Sequence, residues 1–120
     1  MNEKMYNGLM KASPEKRYKS FLNTVVDMEE VWILDSEEGC ATLDFDGYIH
    51  ILLWPRKEFC ECLRTEGETP VSVGIDEFLE EFDKMEPNVR YMVFPTEEDG
   101  YIVSPEKLYA DICEHLDEVE

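Results

Sequence analysis

Thiols and imidazoles, the side chains best suited to hold zinc or to act as nucleophile and base, are few in this sequence. There are four cysteines (Cys40, Cys60, Cys62 and Cys113) and two histidines (His50 and His115). A zinc site uses spacings such as C-x2-C, which bring two thiolates to one ion. No such pair occurs here. Cys60 and Cys62 stand two apart on an expected helix and so point to different faces, and Cys113 and His115 do the same. A site assembled across elements, from Cys60, Cys62 and Cys113 with His50 or His115, stays open at this point beside the plainer reading of buried structural thiols. Nucleophilic catalysis has no frame: G-x-S-x-G, H-E-x-x-H and a glycine-rich phosphate loop are all missing. His50, between Ile49 and Ile51, reads as a sheet histidine rather than a general base.

The second chemical pattern is Leu43-Asp44-Phe45-Asp46-Gly47-Tyr48-Ile49. It resembles the first motif of haloacid-dehalogenase-type phosphatases, Asp-x-Asp-Gly after an apolar strand. The resemblance implies Asp44 as nucleophile and Asp46 as acid–base, both helping to hold Mg2+. That motif needs a parallel sheet with a crossover helix, whereas here a strand is followed at once by another strand. Asp46-Gly47 therefore reads as a hairpin turn. An EF-hand loop is excluded because Gly47 falls at the fourth position of such a loop and not the sixth.

The elements that must position these residues follow from periodicity. Met5, Tyr6, Leu9 and Met10 recur at helical spacing and predict a short first helix. Ser13-Pro14 then starts a helix to about Asp27 with Tyr18, Phe21, Leu22, Val25 and Val26 on one face. The period changes to two for strands at Val31–Leu34, Cys40–Leu43 and Tyr48–Leu53, an antiparallel meander. A helix around Phe59 and Leu63, a strand at Val71–Val73 and a helix capped by Asp76 come next. A strand pair, Arg90–Phe94 and Tyr101–Val103, precedes a last helix opened by Ser104-Pro105. The order ααβββαβαββα predicts an α+β fold: one mixed, mainly antiparallel sheet of five to six strands with packed helices. At 120 residues the chain is read as one domain, 1–120, with residues 1–12 a loosely attached helix.

Charge carries the remaining information. Twenty-nine acidic residues stand against eleven basic ones, a net charge of −18. Up to Leu22 there are five basic residues (Lys4, Lys11, Lys16, Arg17, Lys19) and two acidic, a surplus of +3; beyond it six basic and twenty-seven acidic residues leave −21. Such a body repels nucleic acid and anionic membranes, so neither is expected as a partner. With 43% hydrophobic residues and fourteen aromatics, the chain is expected to fold rather than remain a disordered acidic tract. Met1-Asn2-Glu3-Lys4 opens without the apolar run of a signal peptide, and no stretch reaches the ~18 apolar residues of a membrane span. The expectation is a cytoplasmic protein with reduced thiols and no cofactor.

The acidic runs sit at turns or polar helix faces. They read either as a solvated surface or as a docking face for a basic partner, the second built from Asp27, Glu29, Glu30, Glu37, Glu38, Asp44, Asp46, Glu80, Glu81 and Asp83. Glu97-Glu98-Asp99 forms a further run.

The frame Val31-Trp32-Ile33-Leu34, Gly39-x-Ala41, Leu53-Trp54-Pro55 and Phe59, followed by Phe78-Leu79, Val93-Phe94-Pro95, Gly100 and Val103-Ser104-Pro105-x-x-Leu108, resembles the bacterial domain-of-unknown-function family 2750. The resemblance runs from about Arg17 to Leu116 and departs at Cys40, where an aromatic residue is expected. It implies a small cytosolic bacterial protein and supplies no activity. The leading expectation is thus a non-catalytic acidic protein-binding module, immunity-like or adaptor, monomeric or homodimeric. The rivals are a Mg-dependent phosphate-ester hydrolase using Asp44 and Asp46, and a homo-oligomeric structural protein with Trp32 or Trp54 in an exposed apolar patch.

Overall fold

Both Ser-Pro steps start helices. In the computed structural model, which describes residues 3–119, the Ser13 hydroxyl accepts the Lys16 amide at 3.3 Å ahead of α2 (Pro14–Met28). Ser104 does the same for Lys107 at 3.2 Å ahead of α5 (Pro105–Val119). Each side chain satisfies one of the amides that a helix leaves unpaired at its start. Met1 and Asn2, part of the opening tetrad considered above, lie outside the described residues. Helix α1 (Glu3–Met10) buries no residue fully, but Tyr6 stacks on Phe59 at 5.2 Å. Helix α3 (Lys57–Cys60) continues into a 3-10 turn. Helix α4 (Ile75–Glu80) begins one residue before Asp76, with Gly74 at the cap position and no side-chain cap bond, so Asp76 lies in the first turn instead of capping it.

The strands are β1 (Glu30–Ser36), β2 (Gly39–Cys40), β3 (Thr42–Phe45), β4 (Tyr48–Leu53), β5 (Thr69–Gly74), β6 (Val89–Val93) and β7 (Tyr101–Val103). They form two sheets, which corrects the expectation of one: an antiparallel β2-β1-β5 sheet and a mixed β3-β4-β6-β7 sheet whose parallel pair is β4 with β6. The reason lies in the middle strand of the meander. It breaks at Ala41, whose amide donates to the Leu34 carbonyl at 2.8 Å while its own carbonyl accepts from the Leu52 amide at 3.2 Å. Before Ala41 the chain follows β1; after it the chain follows β4. Just past β4, Trp54 exchanges amide–carbonyl bonds with Trp32 of β1 at 2.9 Å, an isolated bridge between the sheets. A strand that changes sheet in this way makes a corner between them.

The core lies between one face of the mixed sheet and two long helices. Tyr18, Phe21, Leu22, Val25 and Val26 of α2 and Leu108 and Ile112 of α5 are buried with Leu53, Tyr91, Val93 and Val103. The register puts Leu43, Phe45, Tyr48, His50, Leu52, Arg90, Met92 and Ile102 on the other face. There Leu43, Phe45 and Ile102 remain 46%, 37% and 42% exposed. Among the described residues no helix is long and apolar enough to cross a membrane.

Candidate functional site

The corner made at Ala41 opens into a groove of about 490 Å3. Its floor is apolar, with Leu34, Leu52, Leu63 and Met92, and its rim carries Glu68, Glu97, Glu98 and Asp99. No lysine or arginine is among the residues lining it. An apolar floor under an acidic rim favours a ligand with both apolar and cationic groups.

The rim is built by the loop between β6 and β7. Thr96 and Asp99 close it, the Thr96 amide donating to the Asp99 carbonyl at 2.7 Å and the Thr96 hydroxyl accepting the Glu98 amide at 3.2 Å. Phe94 enters the loop at φ 53, a left-handed value that is unusual for a bulky residue. Gly100 leaves it pressed on Met92: a Cβ there would lie 2.6 Å from the Met92 Cγ and 3.1 Å from the Pro95 Cα. The constraint on the loop is Arg17. This residue counts towards the basic leading segment in sequence, yet only 2% of it is exposed. Its guanidinium donates to the carbonyls of Phe94 (3.1 Å), Ala12 and Asp99 (3.2 Å) and pairs with the Asp99 carboxylate. The planar fork suits several acceptors at once, which the single ammonium of lysine does not. Lys4, Lys11, Lys16 and Lys19 stay exposed, so the basic character of that end rests on them.

None of the ten acids proposed from sequence lines this groove. Asp27 and Glu29 share a polar hollow of about 590 Å3 with Arg56 and His115. Glu30 opens β1 and accepts from the Trp32 indole at 3.3 Å. Glu37 and Glu38 are exposed on the turn between β1 and β2; Glu80 closes α4, and Glu81 and Asp83 follow it. Asp44 is exposed on β3, opposite Ile49, and Asp46 lies in the β3–β4 turn at φ 53 ahead of Gly47 at φ 79. Two successive positive φ values are the geometry of a tight hairpin. Strand β4 follows directly, as the hairpin reading requires. The signal for the rim was present in the run Glu97-Glu98-Asp99, two residues after Pro95; Glu68 had none, because it reaches the rim only through the fold.

The thiols and imidazoles are scattered over the fold, and of the six only Cys113 and His115 share an element, α5. Among the described residues no three His, Cys, Asp or Glu side chains converge closely enough to hold a metal ion. His50 is buried under Phe45, ring centroids 3.9 Å apart, and its Nδ1–H donates to the Leu43 carbonyl at 3.0 Å. His115 Nδ1–H donates to the Asp111 carbonyl at 3.1 Å. Burial pushes the Cys60 thiol up to about 12, with the Glu61 carboxylate adding to the rise. Cys62 is raised by burial and then by Glu97, and Cys40 by burial. All three are held as neutral thiols, the opposite of what a nucleophilic cysteine needs. Tyr18 is raised by burial and by its 2.6 Å hydrogen bond to Asp111, and Tyr91 chiefly by burial.

Trp54, one of the two tryptophans expected in an exposed patch if the chain self-associates, is instead fully buried, its indole donating to the Pro95 carbonyl at 3.0 Å. Trp32 is half-buried.

Residues 18–112 match the model of a family described as a protein of unknown function, DUF2750. No curated protein matches the chain.

Proposed function

We propose, from the premise that the chain belongs to the DUF2750 family of proteins of unknown function, that it is a cytoplasmic, non-catalytic module whose corner groove docks a basic segment of a partner protein. The observation that carries this reading is the joining of an apolar floor to a rim of four acids with no basic side chain among the lining residues. Leucine-like side chains of the partner fill the floor, and its lysines or arginines face Glu68, Glu97 and Glu98, the Asp99 carboxylate being paired with Arg17. Rim charges of this kind raise the association rate and select against acidic competitors more than they deepen affinity. The sequence surplus of −21 beyond Leu22 extends the same field over the surface.

Charge reversal tests the reading. Immobilised wild-type chain should retain a basic protein at low ionic strength and release it at ~0.5 M NaCl, where the Debye length has shrunk to a few ångströms. The double variant Glu97→Lys/Glu98→Lys, exposed and so foldable, should not retain it. Equal retention by both chains would rule the groove out. Leu43, Phe45 and Ile102, exposed on one sheet face, favour self-association as a second reading. Sedimentation of wild type against Phe45→Ser separates it from the first.

A further inference from the structure

We propose that a second groove, where the turn after α4 meets the start of α5, binds a proline-rich segment carrying an arginine or lysine. Two adjoining hollows of about 340 and 360 Å3 share Phe82, Pro105 and Glu106. None of the residues lining them lines the corner groove, so this site stands or falls independently of the reading above.

Its surface is aromatic where the corner groove is aliphatic. Tyr109 is 44% exposed on α5 and meets Phe82 edge-on, centroids 5.4 Å apart at 68°. Phe82 is fixed from beneath by Phe78 at 5.1 Å and Tyr91 at 5.5 Å. A rigid ring pair with one ring open to solvent offers flat faces to a ligand at little cost in side-chain entropy. A polyproline II helix suits such a surface. It has no internal hydrogen bonds to preserve, its backbone is ordered before binding, and its three-residue turn presents ridges that seat in neighbouring hollows.

Charge selects the flanking residue. Asp83 and Glu106 border the first hollow, and Glu86 borders the second with Glu106. Among the residues lining the two hollows the one base is Arg90, and nearby Lys84 and Lys107 are paired with Glu81 and Asp111; Arg90 lies over the Tyr48 ring at 3.6 Å, a guanidinium stacked on an aromatic face within this groove. Tyr109 offers a comparable face to a cation from outside. The occupant does not come from a second copy. The six prolines of this chain, at 14, 55, 70, 87, 95 and 105, stand too far apart to form a proline-rich run.

The experiment is an amide-resonance titration with the synthetic peptide acetyl-Arg-Pro-Leu-Pro-Pro-Leu-Pro-amide, repeated with glutamate in place of its arginine. Saturable shifts should centre on Phe82, Glu106 and Tyr109. Tyr109→Ala, a solvent-facing change checked for an unchanged melting curve, should weaken binding ~10-fold, the ordinary consequence of losing an aromatic anchor. Glu106→Gln should weaken it less, and the glutamate peptide should bind worse than the arginine one. No shifts up to ~1 mM peptide, where even weak recognition is visible, would overturn the proposal. So would shifts confined to the corner groove, or equal binding of the two peptides.

Discussion

Replacing Arg17 with methionine removes the guanidinium while keeping most of the apolar stem, and the structure sets the size of the effect. Arg17 is 2% exposed and serves three backbone carbonyls and one carboxylate. Asp99 is 47% exposed, so water can take up its carboxylate once the partner is gone. The Phe94 carbonyl lies in a buried contact and stays without its side-chain donor. An orphaned buried polar group costs ~1–3 kcal/mol, and breaking a buried ion pair by removing one partner costs ~3–5 kcal/mol. The exposure of Asp99 places Arg17→Met near the lower end, about 3 kcal/mol. With a urea dependence of ~1.5 kcal/mol per molar for a domain of this size, the midpoint should fall by about 2 M. Arg17→Lys should fall nearly as far, because one ammonium cannot serve the same acceptors. Hydrogen exchange at the Thr96 amide, bonded to Asp99 within the loop, should accelerate in both variants. A midpoint shift under ~0.5 M, or unchanged exchange at Thr96, would refute the idea that Arg17 holds the rim in place.

Three further outcomes follow from the same structure. Ile112, fully buried on α5, should cost ~2–5 kcal/mol on replacement by alanine, a transfer loss plus a cavity; a near-zero change in the urea midpoint would mean that α5 is not part of the core. Stability should hold below pH 9 and fall as pH rises towards 12, because Cys60 moves from 9.0 to about 12 on folding and Tyr18 and Tyr91 are raised from 10.0. Between the ordinary and the raised values the unfolded chain binds fewer protons than the folded one, so stability drops with rising pH; a urea midpoint at about pH 10.5 equal to that at pH 7 contradicts this. Added NaCl at pH 7 should raise the midpoint, since twenty-nine acids face eleven bases and mutual repulsion is screened by salt; a midpoint that stays level or falls at ~0.5 M NaCl means that the acids are already compensated within the fold.

Local chemistry made much of the fold legible. Ser13-Pro14 and Ser104-Pro105 start helices because hydroxyl and proline act within one turn. Asp46-Gly47 makes its hairpin because both residues accept positive φ. The two-sheet arrangement depends on Ala41 dividing its amide and carbonyl between Leu34 and Leu52, and alternation within one strand carries no trace of which neighbour each end will choose. The parallel pairing of β4 with β6 joins segments about forty residues apart and was equally silent. Burial misled in one place: Arg17 reads as a solvent-facing base on α2, and only the arrival of Phe94 and Asp99 from the far end of the chain turns it into a core residue. The candidate site suffered most. Acid runs can be counted in a sequence, but a groove is a meeting of Leu34, Leu52, Leu63 and Met92 from separate elements, and it decides which acids share a boundary.

The most direct test of the corner groove uses a soluble peptide of alternating leucine and lysine, titrated into the labelled chain at ~50 mM and again at ~200 mM NaCl. Binding should shift the resonances of Glu68 and of the loop from Glu97 to Gly100, weaken several-fold at the higher salt, and disappear in Glu97→Lys/Glu98→Lys while the melting curve of that variant stays intact. Shifts that lie elsewhere, or an affinity indifferent to both salt and charge reversal, would contradict the assignment of this groove as the docking site for a basic partner.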